Sequence, residues 1–118
     1  LVENGELVEA SQELKNIIER TSSGWGNEYD PIESTARLRL AKILLSLDKP
    51  QEALEVVKQA KVLNGALFEV KGDSEFQLKR FNEANISYLK ALESTQSSSL
   101  KSLIRMKIAD LQPDDNDQ

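Results

Sequence analysis

Apolar residues recur along this chain at helical spacing, and no segment alternates with a period of two for long enough to make a strand. In 6–20, "ELVEASQELKNIIER", Leu7, Ala10, Leu14, Ile17 and Ile18 fall on one face. The Ser/Gly/Asn-rich "TSSGWGNEYD" then interrupts the pattern. Asp30 is placed to cap the next helix, Pro31 suits its first position, and Glu33 can complete a capping box. That helix, 31–47, carries Ile32, Ala36, Leu40, Ile43, Leu44 and Leu47 on a broad apolar face. Glu33 and Arg37, four apart, are expected to add surface support.

"DKP" ends this run, and Pro50 opens a helix through about Lys61. Further helices are predicted over 65–78, 82–94 and 98–111. The serines of "TQSSS" supply N-caps for the last. Leu100, Leu103, Ile104, Ile108 and Leu111 form its apolar stripe, and Pro113 stops it. The pattern predicts an all-α chain. Residues 1–112 read as one domain, starting mid-repeat and closed by a capping helix at about 98–111. Residues 113–118 read as an acidic tail.

A shift of 31 residues aligns the chain with itself. Ala41 meets Gly72, Leu45 meets Phe76, Lys49 meets Arg80, Glu52-Ala53 meets Glu83-Ala84, and Val57 meets Tyr88. Part of a third copy lies upstream, where Glu9-Ala10, Leu14 and Ile17 match Glu52-Ala53, Val57 and Ala60. Each unit reads as helix, short turn, helix. Antiparallel helices approach most closely where the contact residues are small, so Ala41 is expected against Ala53, and Gly72 against Ala84. Gly72 then sits inside a helix, and Asp73 is an ordinary helical side chain. "GDSEFQLKRF" lacks the oxygen ligands of a calcium loop and the glycines and Lys-Ser/Thr ending of a phosphate loop.

Composition narrows the chemistry. The 118 residues are 39% hydrophobic, 30% charged and 5% aromatic, with a net charge of −5, the balance of a folded helical chain. There is no Cys and no His, which removes disulfides, thiolate nucleophiles, imidazole catalysis and most zinc sites. No basic stripe supports nucleic-acid binding. Catalytic, cofactor and metal residues are expected to be none. The alternative of a hydrolytic enzyme would need carboxylates clustered in a pocket, whereas Glu and Asp read as solvating charge spread around the helices. The chain begins at Leu1 and contains no spanning segment, so any membrane anchor would belong to a longer parent.

Helix pairs with small residues at these offsets resemble tetratricopeptide repeats, whose period of about 34 is near the one seen here. The order "GELVEASQEL", "ARLRLAKILLSLDKPQEALEVVK", "FEVKGDSEFQLKRFNEANISYLKAL" and "LIRMKIADL" further resembles the periplasmic domain of YfgM-like proteins, ancillary subunits of the SecYEG translocon. Arg37-Leu38-Arg39-Leu40-Ala41-Lys42, Gly72-Asp73, and Met106-Lys107-Ile108 with Leu111 carry that likeness. It implies a tetratricopeptide-like, right-handed stack of about six antiparallel helices at the periplasmic face of the bacterial inner membrane. The implied partners are the SecYEG translocon and a membrane-anchored periplasmic chaperone of the prolyl-isomerase type, with unfolded client chains as a further class. A cytosolic adaptor with an unrelated partner is the alternative.

Stacked helix pairs expose a concave face lined by the first helix of each pair. Here that face is expected to include Leu38, Lys42 and Leu45 from one unit and Glu69, Asp73 and Phe76 from the next, the alternative being that they are core residues covered by the upstream and C-terminal helices. Leu38 stands where a carboxylate-clamp repeat needs a polar side chain, so an apolar, extended segment is the expected occupant. Trp25 and Tyr29, in the loop "GWGNEYD", are candidate interface anchors, the alternative being that Trp25 tucks back over the first hairpin as a lid. Lys101, Arg105 and Lys107 read as the solvated face of the last helix.

Overall fold

A computed structural model describes residues 4–22 and 31–111, and all regular structure among these is helical. The helices are α1 (Asn4–Ser22), α2 (Pro31–Ser46), α3 (Pro50–Lys58), α4 (Gly65–Gln77), α5 (Phe81–Ser94) and α6 (Ser98–Leu111). The all-α expectation is met. The chain forms two compact units, Leu1–Leu63 and Asn64–Gln118. In the first, α1 packs on α2 and α2 on α3; in the second, α4 packs on α5 and α5 on α6.

The 31-residue repeat reappears in backbone geometry. After α2, the Asp48 amide donates to Leu45 O at 3.1 Å and the Lys49 amide to Leu44 O at 2.8 Å. After α4, Lys79 donates to Phe76 O at 2.9 Å and Arg80 to Glu75 O at 2.8 Å. These are paired Schellman closures, each with its C′ residue in the left-handed region: Asp48 at φ 62° and Lys79 at φ 63°. The repeat therefore fixes how each hairpin turns, although neither turn residue is glycine.

Helix starts follow local chemistry. Asn64 is extended and its Oδ1 accepts from the Leu67 amide at 2.9 Å, capping α4. The helix α3 ends at Lys58, before the predicted Lys61, and its end tightens to an i→i−3 bond from the Ala60 amide to Val57 O at 3.1 Å. Ser97 Oγ accepts from the Leu100 amide at 3.1 Å, the expected serine cap of α6.

The first unit buries Ala36, Leu40, Ala41 and Leu44 of α2 with Ala53, Leu54 and Val57 of α3. The second has a core of Ala84, Tyr88, Ala91 and Ile104, flanked by Phe68, Leu92, Leu100, Ile108 and Leu111. The stripe on α6 is shifted from the expected one. Leu103 is exposed and Lys107 is half-buried. At 3.6 residues per turn, Lys107 lies nearer the middle of the face set by Leu100, Ile104, Ile108 and Leu111 than Leu103 does.

Candidate functional site

Glu69, Asp73 and Phe76 are spaced at i, i+4 and i+7 on α4, so they share one face. Glu69 is buried, Asp73 partly buried and Phe76 exposed, its ring meeting Phe81 edge-on at 5.6 Å. Asp73 is not an ordinary solvated side chain. Its Oδ1 accepts from the Tyr88 hydroxyl at 2.6 Å, and both its oxygens accept from Lys107 Nζ at 3.0 Å. Lys107 also donates to Glu69 Oε2 at 2.8 Å.

The expectation that Lys107 belongs to a solvated face is thus corrected: one ammonium from α6 ties down two carboxylates of α4. Burial works against its charge, but the bonds and charges of Glu69 and Asp73 outweigh that and hold its pKa above the ordinary value. Tyr88 is shifted strongly upward, by burial first and then by its bond to Asp73 and the nearby carboxylates, so its proton stays on.

Gly72 is helical as expected, and the space its missing side chain leaves is taken by Tyr88. A Cβ there would lie 2.5 Å from Tyr88 Cε1 and 2.6 Å from Cδ1. The ring occupies the space that the missing side chain leaves. Because Tyr88 is 2% exposed and bonded to Asp73, it cannot swing aside freely.

A second polar cluster lies deeper in this unit. Ser87 Oγ donates to Glu75 Oε1 at 2.6 Å, and Lys71 Nζ reaches Glu75 Oε2 at 2.9 Å and Ser87 Oγ at 3.2 Å. Glu75 is 2% exposed and Ser87 1%. Asn85-Ile86-Ser87 matches the N-glycosylation acceptor pattern, but its serine is occupied inside the fold.

In the first unit, Leu38, Lys42 and Leu45 share a face of α2, with Leu38 and Leu45 half-buried and Lys42 exposed. Trp25 and Tyr29 lie outside the described residues. The expected surface pair Glu33–Arg37 is instead buried, at 2% and 6% exposure. Ser22 Oγ donates to Glu33 Oε2 at 2.6 Å, and Arg37 Nη1 donates to Val56 O at 2.9 Å. Arg37 Nε lies 3.5 Å from Glu33 Oε1. Burial raises the Glu33 pKa, but the Ser22 bond, the Arg37 charge and a bond from the Lys61 backbone overcome it, leaving the pKa below its ordinary value. Glu33 therefore ties three segments together, while its expected capping partner Asp30 lies outside the described residues. The view of acidic residues as solvating charge fails at Glu33, Glu69 and Glu75.

Spacing in the sequence identifies three residues of the α4 face but misses Lys107, Tyr88 and the Lys71–Glu75–Ser87 cluster. Two signals point to them. Lys107 falls inside an apolar stripe, and the 31-residue shift sets Lys71, Glu75 and Ser87 opposite the apolar Leu40, Leu44 and Val56. The arrangement can hold helices in register and present an apolar, carboxylate-edged surface.

These features have a family context. The family model of the tetratricopeptide repeat-like domain matches residues 1–113. The chain belongs to that family, whose domains are generally non-catalytic protein–protein interaction modules. Searches against curated proteins and against solved structures return no match. Among the described residues, no helix is long and apolar enough to cross a membrane, and no group of three or more carboxylates could hold a metal ion.

Proposed function

We propose that this interaction module serves as the periplasmic domain of an ancillary subunit of the SecYEG translocon. It would work beside a membrane-anchored chaperone of the prolyl-isomerase type, helping newly translocated chains change hands at the inner membrane. The observation that carries this reading is the family match over residues 1–113, joined to the ordered motifs at 37–42, 72–73 and 106–111. The mechanism is reversible docking of a partner segment on helix faces that carry Leu38, Lys42 and Leu45, or Asp73 and Phe76, with Glu69 buried beneath Lys107 in support of the second face. Trp25 and Tyr29 are proposed to add contacts.

A pull-down tests the assignment, with this domain as bait against detergent-solubilised bacterial membranes and, in parallel, cytosol. Recovery of translocon subunits and a periplasmic isomerase is expected. Enrichment of cytosolic proteins alone would replace the translocon reading with that of a cytosolic adaptor.

A further inference from the structure

Between α4, α5 and α6 lies a pocket of about 140 Å³ lined by Asp73, Phe76, Tyr88, Lys107 and Asp110. Small-molecule sites run to roughly 300–1,000 Å³, so this one has room for a single side chain. Its lining is mostly apolar, and of its two aromatic rings Phe76 is exposed while Tyr88 is buried.

The charge of those groups decides what fits. Lys107 is spent: its three bonds go to Glu69 and Asp73 at 2.8, 3.0 and 3.0 Å. The pair of carboxylates still outnumbers the ammonium, and Asp110, exposed at the rim, adds a further negative charge. An anionic guest would meet an excess of carboxylates. A purely apolar guest would fill the walls but leave that field unused. A long side chain with an aliphatic stem and a cationic head satisfies both, with the stem against the apolar lining and the head near Asp110. Lys107 already makes this kind of contact within the molecule, laying its stem across the unit to reach α4.

We propose that this pocket receives an arginine side chain from a partner segment, with its guanidinium against Asp110 and the exposed Phe76 ring. Guanidinium is favoured over ammonium because it forks onto a carboxylate and stacks on an aromatic face. Met106, one turn before Asp110 on α6, is exposed beside it, so an apolar residue next to the arginine completes the fit. The proposal rests on the reading of the chain as an interaction module and names the chemistry of its partner.

The test uses the whole chain, labelled with ¹⁵N, and two capped peptides, acetyl-Leu-Arg-Leu-amide and its citrulline counterpart, which keeps the shape and removes the charge. Amide shifts are expected at Asp73, Phe76, Lys107 and Asp110, with the arginine peptide binding about fivefold more tightly than the citrulline one. Asp110→Asn, a surface change that leaves the fold intact, should weaken only the arginine peptide, by about threefold. Equal binding of the two peptides, shifts confined to other residues, or no shift up to about 10 mM peptide would each overturn the pocket. If the pull-down still recovers translocon subunits after such a result, the interaction module stands and only the arginine site falls.

Discussion

The two units solve the same packing problem with different chemistry. Shifted by 31 residues, Leu40, Leu44 and Val56 of the first unit align with Lys71, Glu75 and Ser87 of the second. The first set is apolar, with Leu40 and Leu44 at 1% and 2% exposure. The second is a closed hydrogen-bonded triad at the same positions of the hairpin. Beside it, Ala41 and Val57 give way to Gly72 and Tyr88, so that volume lost on one helix is restored by the other. Apolar contacts tolerate loss in small steps. A buried polar triad stands or falls as a unit, because removing one member strands the rest.

Glu75→Ala should therefore be the most damaging change, costing about 3 kcal/mol by leaving Ser87 buried and Lys71 without its partner. The urea midpoint of the 222 nm signal measures it. The triple replacement Lys71→Leu, Glu75→Leu, Ser87→Val writes the first unit's residues into the second. It should recover most of that loss, since apolar groups of similar volume replace buried ion pairs at little cost. A triple variant no more stable than Glu75→Ala would show that the two hairpins are not interchangeable at these positions.

Gly72→Ala should come next, at about 2 kcal/mol, because the added methyl runs into the Tyr88 ring. Adding Tyr88→Val, which copies the first unit's Ala41 and Val57, should relieve the clash. The double variant is expected to be more stable than Gly72→Ala alone, and thermal unfolding of the two would decide it.

The units should also respond to pH with opposite signs. The Glu33 pKa is lowered from 4.5, so its contribution is present above that value and lost as pH falls through the folded pKa. The Lys107 pKa is raised from 10.5, so its contribution is complete below that value and lost as pH rises through the folded pKa. Glu33→Gln should flatten the acid limb of the stability profile, and Lys107→Met the alkaline limb. Denaturation midpoints from about pH 3 to 11 would reveal either limb surviving its variant.

Much of this architecture is legible in the residues themselves. The 3.6-residue period marks out six helices, and the shift of 31 marks the hairpins and places Gly72 inside one of them. Spacing alone puts Glu69, Asp73 and Phe76 on one face. What spacing does not carry is which side chain fills a gap, so it misses the Tyr88 ring in the space that Gly72 leaves. Charge is similarly ambiguous. Lys107, Glu33 and Glu75 look like solvated residues until tertiary packing sets an opposite charge or a hydroxyl beside each.

The smallest effect concerns the turns the units share. A left-handed residue other than glycine costs roughly 1–2 kcal/mol, less for Asp or Asn, whose short polar side chains tolerate that region. Lys79 therefore carries more strain at φ 63° than Asp48 does at φ 62°. Lys79→Gly should stabilise the chain by about 0.5–1 kcal/mol after the entropy of glycine in the unfolded state is subtracted. Asp48→Gly should change stability by half that or less. Urea midpoints of the two variants would give the order, and equal gains would mean that the turn backbone itself, and not the residue chosen for it, sets the strain in both units.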